Sequence, residues 1–387
     1  MSRLNHIIFS LLIASFFTIF VFIHPQPTQA LLSDPDQALT VRVDQIVTQK
    51  EITFDDNFQA VEPSPACLQA GPATCPIQTY QELTATVTKG PHAGDQITIV
   101  SGQYPTTVHK IYQPGEQLIV EPELNSQPPT YYVNDYYRQD ALIILFIIFV
   151  VVVIFVTRFR GLKALLGMAY SFAIIFALTL PLIMAGHSPY LVALLTIVLI
   201  LPPTFYFSHG FSRKTHAAIL GTSLAMLLTI GLAYLAVKGV NLTGYGSEES
   251  GFIIALMGNT INIQALLLAG IMISALGTLN DVTVSQSAIV SSLITENPDL
   301  NWAELYKKSM QVGQDHIMSM VDTLILVYAG GSLPLLILIA DSSRPFSEII
   351  NYELFAEEIV NMLVGSIGLI LAVPITTAVA CFFFTSD

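Results

Sequence analysis

The sequence predicts a mainly α, polytopic transmembrane helix bundle that carries one small extracytoplasmic β-barrel of OB-like or SH3-like type. Three observations predict it. Hydrophobic residues make up 53% of the chain and charged residues 11%, against roughly a quarter charged in an average soluble domain. After Asp140 come seven apolar runs long enough to cross about 30 Å of hydrocarbon. Between residues 31 and 140 the apolar period is two, the period of half-buried strands. The chain is therefore read in three parts: 1–30, an N-terminal transmembrane anchor or signal segment; 31–140, an extracytoplasmic β-rich domain; and 141–387, a seven-span transmembrane domain.

Arg3 precedes an unbroken apolar run, Ile7 to Ile23, whose length lies between a signal-peptide core and a full span. The small-residue end Thr28-Gln29-Ala30 leaves cleavage open, but both readings send the following segment across the membrane. In that segment Leu39, Val41 and Val43 alternate with polar residues, as do Leu83, Ala85 and Val87. The turn-like stretch Lys89 to Asp95 then leads into Gln96 to Val100, which reads as a hairpin. Further strands fall at Glu116 to Glu121 and Thr130 to Val133, enough for a small barrel. Cys67 and Cys75 flank a Pro-rich loop; they could close a disulfide there, since the segment is expected to face an oxidising compartment, or stay as two free thiols.

The spans are expected near Ala141–Thr157, Ala164–Met184, Leu191–Phe207, Ala217–Val237, Phe252–Leu279, Ile317–Ala340 and Ile359–Phe384. Arg158, Arg160 and Lys163 fall in one loop, Arg213 and Lys214 in another, Lys307 and Lys308 in a third. With the N-terminal anchor counted, these loops and Arg3 share one side, and the opposite short loops carry only Lys238 and Arg344. That positive-inside bias puts the barrel outside, both termini in the cytoplasm, and the protein in the cell membrane. The fifth run is overlong, and Gly258 to Gln264 is polar at several places. It reads either as a short interfacial or re-entrant piece followed by a span from about Ile263, or as one tilted helix.

The polar stretch from Gly277 to Pro334 holds the candidate functional residues. Asn280 and Asp281 end the fifth span, and Gln286 follows on what reads as a separate amphipathic helix. Asn297-Pro298-Asp299 breaks the pattern, and Asn301 with Glu304 makes a capping box for a helix that continues into the sixth span. On that helix Asp315, Ser319 and Asp322 share one face, with His316 offset by one position. Two carboxylates and an imidazole at a membrane edge could bind a cation or relay a proton, with Asp281 as a further member. Which metal, if any, the set would take is left open; hydrated interfacial acids are the alternative. Gly330-Gly331-Ser332-Leu333-Pro334 and Pro374 with Thr376 and Thr377 are expected to kink or interrupt the last two spans. Such breaks mark substrate sites in secondary transporters or, alternatively, close helix packing.

Three stretches, LNDVTVSQSAIVSSL from Leu279, VGQDHIMSMVDTLILVYAGGSLPLLILI from Val312 and LVGSIGLILAVPITT from Leu363, resemble the YibE/F-like family of bacterial membrane proteins. The resemblance implies a multi-pass membrane protein with an outward N-terminal segment, and brings no reaction or substrate with it. Gln314 stands where the resemblance leads one to expect Arg, and Asp322 where it leads one to expect Asn, which shifts weight to Asp281, Asp315 and His316. A permease-like protein moving a small solute or ion is the first functional expectation. A non-transporting scaffold or sensor, whose outer β domain binds a partner, is the alternative. The chain shows no GxxxxGK[ST], HExxH, GxSxG or paired YD/GxGD signature, so neither a cofactor nor an enzyme is expected. With a net charge of −13 and no basic stripe, nucleic acid is not an expected partner. The lipid bilayer is, and a homo-oligomer or another membrane protein stays open.

Overall fold

A computed structural model describes residues 38–54, 60–65, 67, 77–89, 92–105, 110–122 and 130–385. The expected N-terminal anchor and Cys75 lie outside these residues; Cys67 is disulfide-bonded. Two compact units divide at Val151 and Val152.

In the first unit β1 (Leu39–Phe54), β2 (Ala60–Val61), β3 (Gln78–Lys89), β4 (Gln96–Ser101), β5 (Gln117–Pro122) and β6 (Tyr131–Tyr136) form one sheet. Its order is β2-β1-β3-β4-β6-β5, and β5 pairs back onto the first four residues of β1, so five strands close a barrel. The alternation seen in the sequence is what fills it. Leu39, Val41 and Val43 of β1, Leu83, Ala85 and Val87 of β3, Ile99, Leu118 and Val120 all point into one core. The expected β3–β4 hairpin forms, with Gly94 in the left-handed region at the turn. Polar side chains are buried in this unit too. Gln81 is fully buried between strands, donating to the Tyr112 carbonyl (3.0 Å) and accepting from the Tyr112 N–H (2.8 Å). A buried amide is tolerated only when so paired.

The helices follow. Helix α1 (Gln139–Thr157) has no buried residue and is apolar on every side, as a lipid-facing span must be. The second unit contains α2 (Phe159–Met184), α3 (Pro189–His209), α4 (Arg213–Gly239), α5 (Glu248–Met257), α6 (Ile263–Glu296), α7 (Trp302–Gly331), α8 (Leu333–Asp341), α9 (Phe346–Ile349) and α10 (Glu353–Thr385). Six helices among the described residues are long and apolar enough to cross a bilayer, and α7 with α8 passes the same test as a bent pair. The chain is a multi-pass membrane protein.

Four expectations about the helices meet the structure here. The overlong fifth run divides, as the first of its two readings has it. Helix α5 ends in a 3-10 turn at Gly258–Thr260, and α6 begins at Ile263 under an Asn262 cap. The amphipathic segment carrying Gln286, however, is not separate. Helix α6 runs unbroken for 34 residues to Glu296, about 50 Å at 1.5 Å per residue, because no glycine–proline signal interrupts it before Asn297-Pro298. The Asn301–Glu304 capping box is present in both directions. Gly330 to Pro334 does break its helix: α7 and α8 meet at 70°. Pro334 has no N–H for the Gly330 carbonyl, and it stands in the first turn of α8, where that missing donor is tolerated.

Pro374 does not interrupt its helix. Helix α10 passes through it, and Ala372, Val373, Thr376 and Thr377 are all fully buried around it. The lost backbone bond is outweighed by packing on both sides. Helix α10 lies against α4, α6 and α7, so closely that a Cβ on Gly221 of α4 would lie 2.5 Å from the Thr376 hydroxyl. Thr377 returns its hydroxyl to the Val373 carbonyl at 2.7 Å. Close helix packing is the geometry at Pro374, Thr376 and Thr377.

Candidate functional site

A cavity of about 590 Å3 opens between α2, α3 and α6. Backbone irregularities on two of these helices shape it. In α3, Pro202 and Pro203 sit inside the helix. Pro203 cannot donate to the Leu199 carbonyl, four residues back, and the Tyr170 hydroxyl of α2 takes that acceptor at 3.2 Å. Thr204 turns its hydroxyl back to the carbonyls of Ile200 (2.8 Å) and Leu201 (3.1 Å). In α2, Ile175–Thr179 winds as a π-helical turn, whose Thr179 hydroxyl lies 2.7 Å from that of Thr196. π-turns of this kind recur at functional sites because they displace side chains from the regular helical rows.

The lining is mixed. Ile175, Ile200, Leu201, Phe205, Ile273 and Leu276 supply apolar walls. Ser171 of α2, Thr204, Ser208 and His209 of α3, and Asn280, Asp281 and Ser285 of α6 supply hydroxyl, imidazole, amide and carboxylate groups. Lys214, at the start of α4, shares a small adjoining cleft with His209. Asp281, itself exposed, is the carboxylate among the lining residues.

Not every expected site residue comes here. Asn280 and Asp281 line the cavity. Gln286, five residues beyond Asp281 and 1% exposed, does not: its amide donates to the Ser309 carbonyl of α7 (3.0 Å) and to the Thr377 hydroxyl of α10 (2.7 Å). One side chain thereby ties three helices together. Gly313 permits the approach, since a Cβ there would come within 3.0 Å of both Gln286 side-chain polar atoms. Beside it Thr222 and Thr283 meet hydroxyl to hydroxyl at 2.6 Å. Polar pairs of this kind contribute on the order of 0.6–2 kcal/mol each to helix association in a bilayer.

Asp315 and Asp322 lie exposed on α7, and His316 is half-buried beside them. None of the three lines the cavity that holds Asp281. Among the described residues, no three His, Cys, Asp or Glu side chains come close enough to hold a metal ion. The break at Gly330, Gly331, Ser332 and Pro334 belongs to α7–α8 and does not border the cavity. What sequence reasoning missed is the contribution of α2 and α3: Tyr170, Ser171, Thr204, Ser208 and His209. The legible signal was Pro202-Pro203 within an apolar run, with Thr204 beside it.

A family model described as YibE/F-like protein matches residues 145–386. No curated protein and no solved structure matches the chain.

Proposed function

The chain belongs to the YibE/F-like family, and from that premise we propose that it is a permease-like protein of the cell membrane, moving a small solute or ion by secondary transport. The observation that carries this reading is the 590 Å3 cavity between α2, α3 and α6, with Asp281, Asn280 and His209 on its wall. Ionisable groups in membrane helices are rare and mark solute, ion or proton pathways. A cavity next to helix irregularities is where secondary transporters bind their cargo. Asp281 is the residue assigned to the coupling charge, and Asp315 with His316 has only an accessory place, at the exposed face of α7.

The basic loops at Arg158–Lys163, Arg213–Lys214 and Lys307–Lys308 support an orientation with the β-barrel outside and the C-terminus in the cytoplasm. The barrel is read as OB-like. Its closed order β1-β3-β4-β6-β5 and the parallel pairing of β4 with β6 support that type over an SH3-like one.

The test is charge movement in proteoliposomes on a solid-supported membrane. The full chain is challenged with jumps in pH, Na⁺, K⁺ and Mg²⁺. A current above that of protein-free liposomes is expected for at least one of these. It should disappear in Asp281→Asn and persist in Asp315→Asn. Equal currents in wild type and Asp281→Asn would remove Asp281 from the mechanism, and no current under any jump would count against ion-coupled transport.

A further inference from the structure

A second cavity, of about 360 Å3, lies at the opposite end of α3, α4 and α6, where α3 and α6 begin and α4 closes. Its chemistry differs from that of the first. Lys238, in the last turn of α4, is the charged group on its wall, and no carboxylate lines it. That is notable in a chain with 28 acidic and 15 basic residues. The Lys238 ammonium stands over the Tyr234 ring, 4.6 Å from its centre, an arrangement that holds a cation in place without neutralising it. Tyr190 and Asn262 add polar groups around it, and Ile230 and Leu268 continue the wall as apolar surface towards the middle of the bundle. Lys238 is also one of only two basic residues that break the charge bias of the loops, so nothing in the topology calls for it.

We propose that this cavity binds a phosphate oxyanion at Lys238, and that the oxyanion is the head group of an anionic phospholipid whose acyl chain lies along Ile230 and Leu268. A cation held at the rim, hydroxyl and amide groups beside it and apolar wall beneath match an amphiphile with a negative head. On the orientation read from the loop charges, this is the outer leaflet. The inference stands apart from the permease reading, which rests on a different cavity, between α2, α3 and α6.

Native mass spectrometry of the full chain, released from detergent with added phosphatidylglycerol or phosphatidylcholine, tests it. Wild type should retain phosphatidylglycerol in preference to phosphatidylcholine. Lys238→Gln should weaken phosphatidylglycerol retention about fivefold, the effect of one lysine near a charged surface, and Lys238→Arg should restore it. Lys238 is exposed, so the substitutions leave the packed core untouched. Unchanged phosphatidylglycerol retention in Lys238→Gln overturns the site. Displacement of the lipid by millimolar inorganic phosphate would assign the site to a free anion and overturn the lipid source.

Discussion

Asp135, near the end of β6, accepts from Arg138 at 2.7 Å, from Lys110 at 2.8 Å and from the Tyr136 N–H at 2.8 Å. Arg138 foremost, then Lys110 and the backbone donor, hold its carboxyl well below the usual carboxylate range. A carboxyl so depressed stabilises the fold at any pH above its unfolded value, about 3.9, and that stabilisation is lost as pH falls through the lower folded value. The thermal melt of the tyrosine near-ultraviolet dichroism, to which the barrel contributes, should therefore differ between wild type and Asp135→Asn at pH 7, and the curves should converge towards about pH 2. An undiminished difference at pH 2 would sink this assignment. Sequence alone separated such residues poorly. Asp281 and Gln286 were both candidates on one polar stretch, yet one faces a cavity and the other is locked at a three-helix crossing. Five positions amount to 500° of helix rotation, hence a different face, and which neighbour that face meets depends on tertiary packing.

Elements were more legible than their ends. The strands of the barrel announced themselves because burial on one face forces period two, and Leu39, Val41 and Val43 obey it without exception. Prolines were legible only in part. At Pro334 the two preceding glycines weaken the helix, neither meets a neighbour that would seat a Cβ, and the helix breaks. At Pro374, as at Pro202 and Pro203, the helix continues through the proline, and hydroxyls of Thr377 and Thr204 or of Tyr170 take up carbonyls nearby. The bend at Pro334 is thus local in origin and should respond to local change. Spin labels at the exposed positions Met318 and Leu338 lie 20 residues apart, about 30 Å along a straight helix. A 70° bend shortens that separation by about 5 Å by the same helix geometry. The double substitution Gly331→Ala with Pro334→Ala should lengthen the measured distance by about that much. An unchanged distance would mean that packing, not Pro334, sets the angle.

At the scale of the whole molecule, the function proposed here requires a defined orientation, because a cavity holding Asp281 and one holding Lys238 have meaning only relative to the two faces of the membrane. The loops supply the argument. Basic residues resist translocation, and Arg158, Arg160, Lys163, Arg213, Lys214, Lys307 and Lys308 recur in alternate loops. If all spans cross, the end of the bundle with Asp281 faces the cytoplasm, and the barrel lies outside, where a disulfide at Cys67 persists. Single cysteines placed at His92 on the β3–β4 turn and at Lys307 on α7, both exposed, report the two sides directly once Cys381 is replaced. A membrane-impermeant maleimide added to intact cells should label the His92→Cys protein and spare Lys307→Cys, and permeabilised cells should label both. Labelling of Lys307→Cys in intact cells would invert the bundle. Asp281 would then lie in the outward cavity and Lys238 in the inner leaflet, and the direction of any coupled movement would have to be reversed.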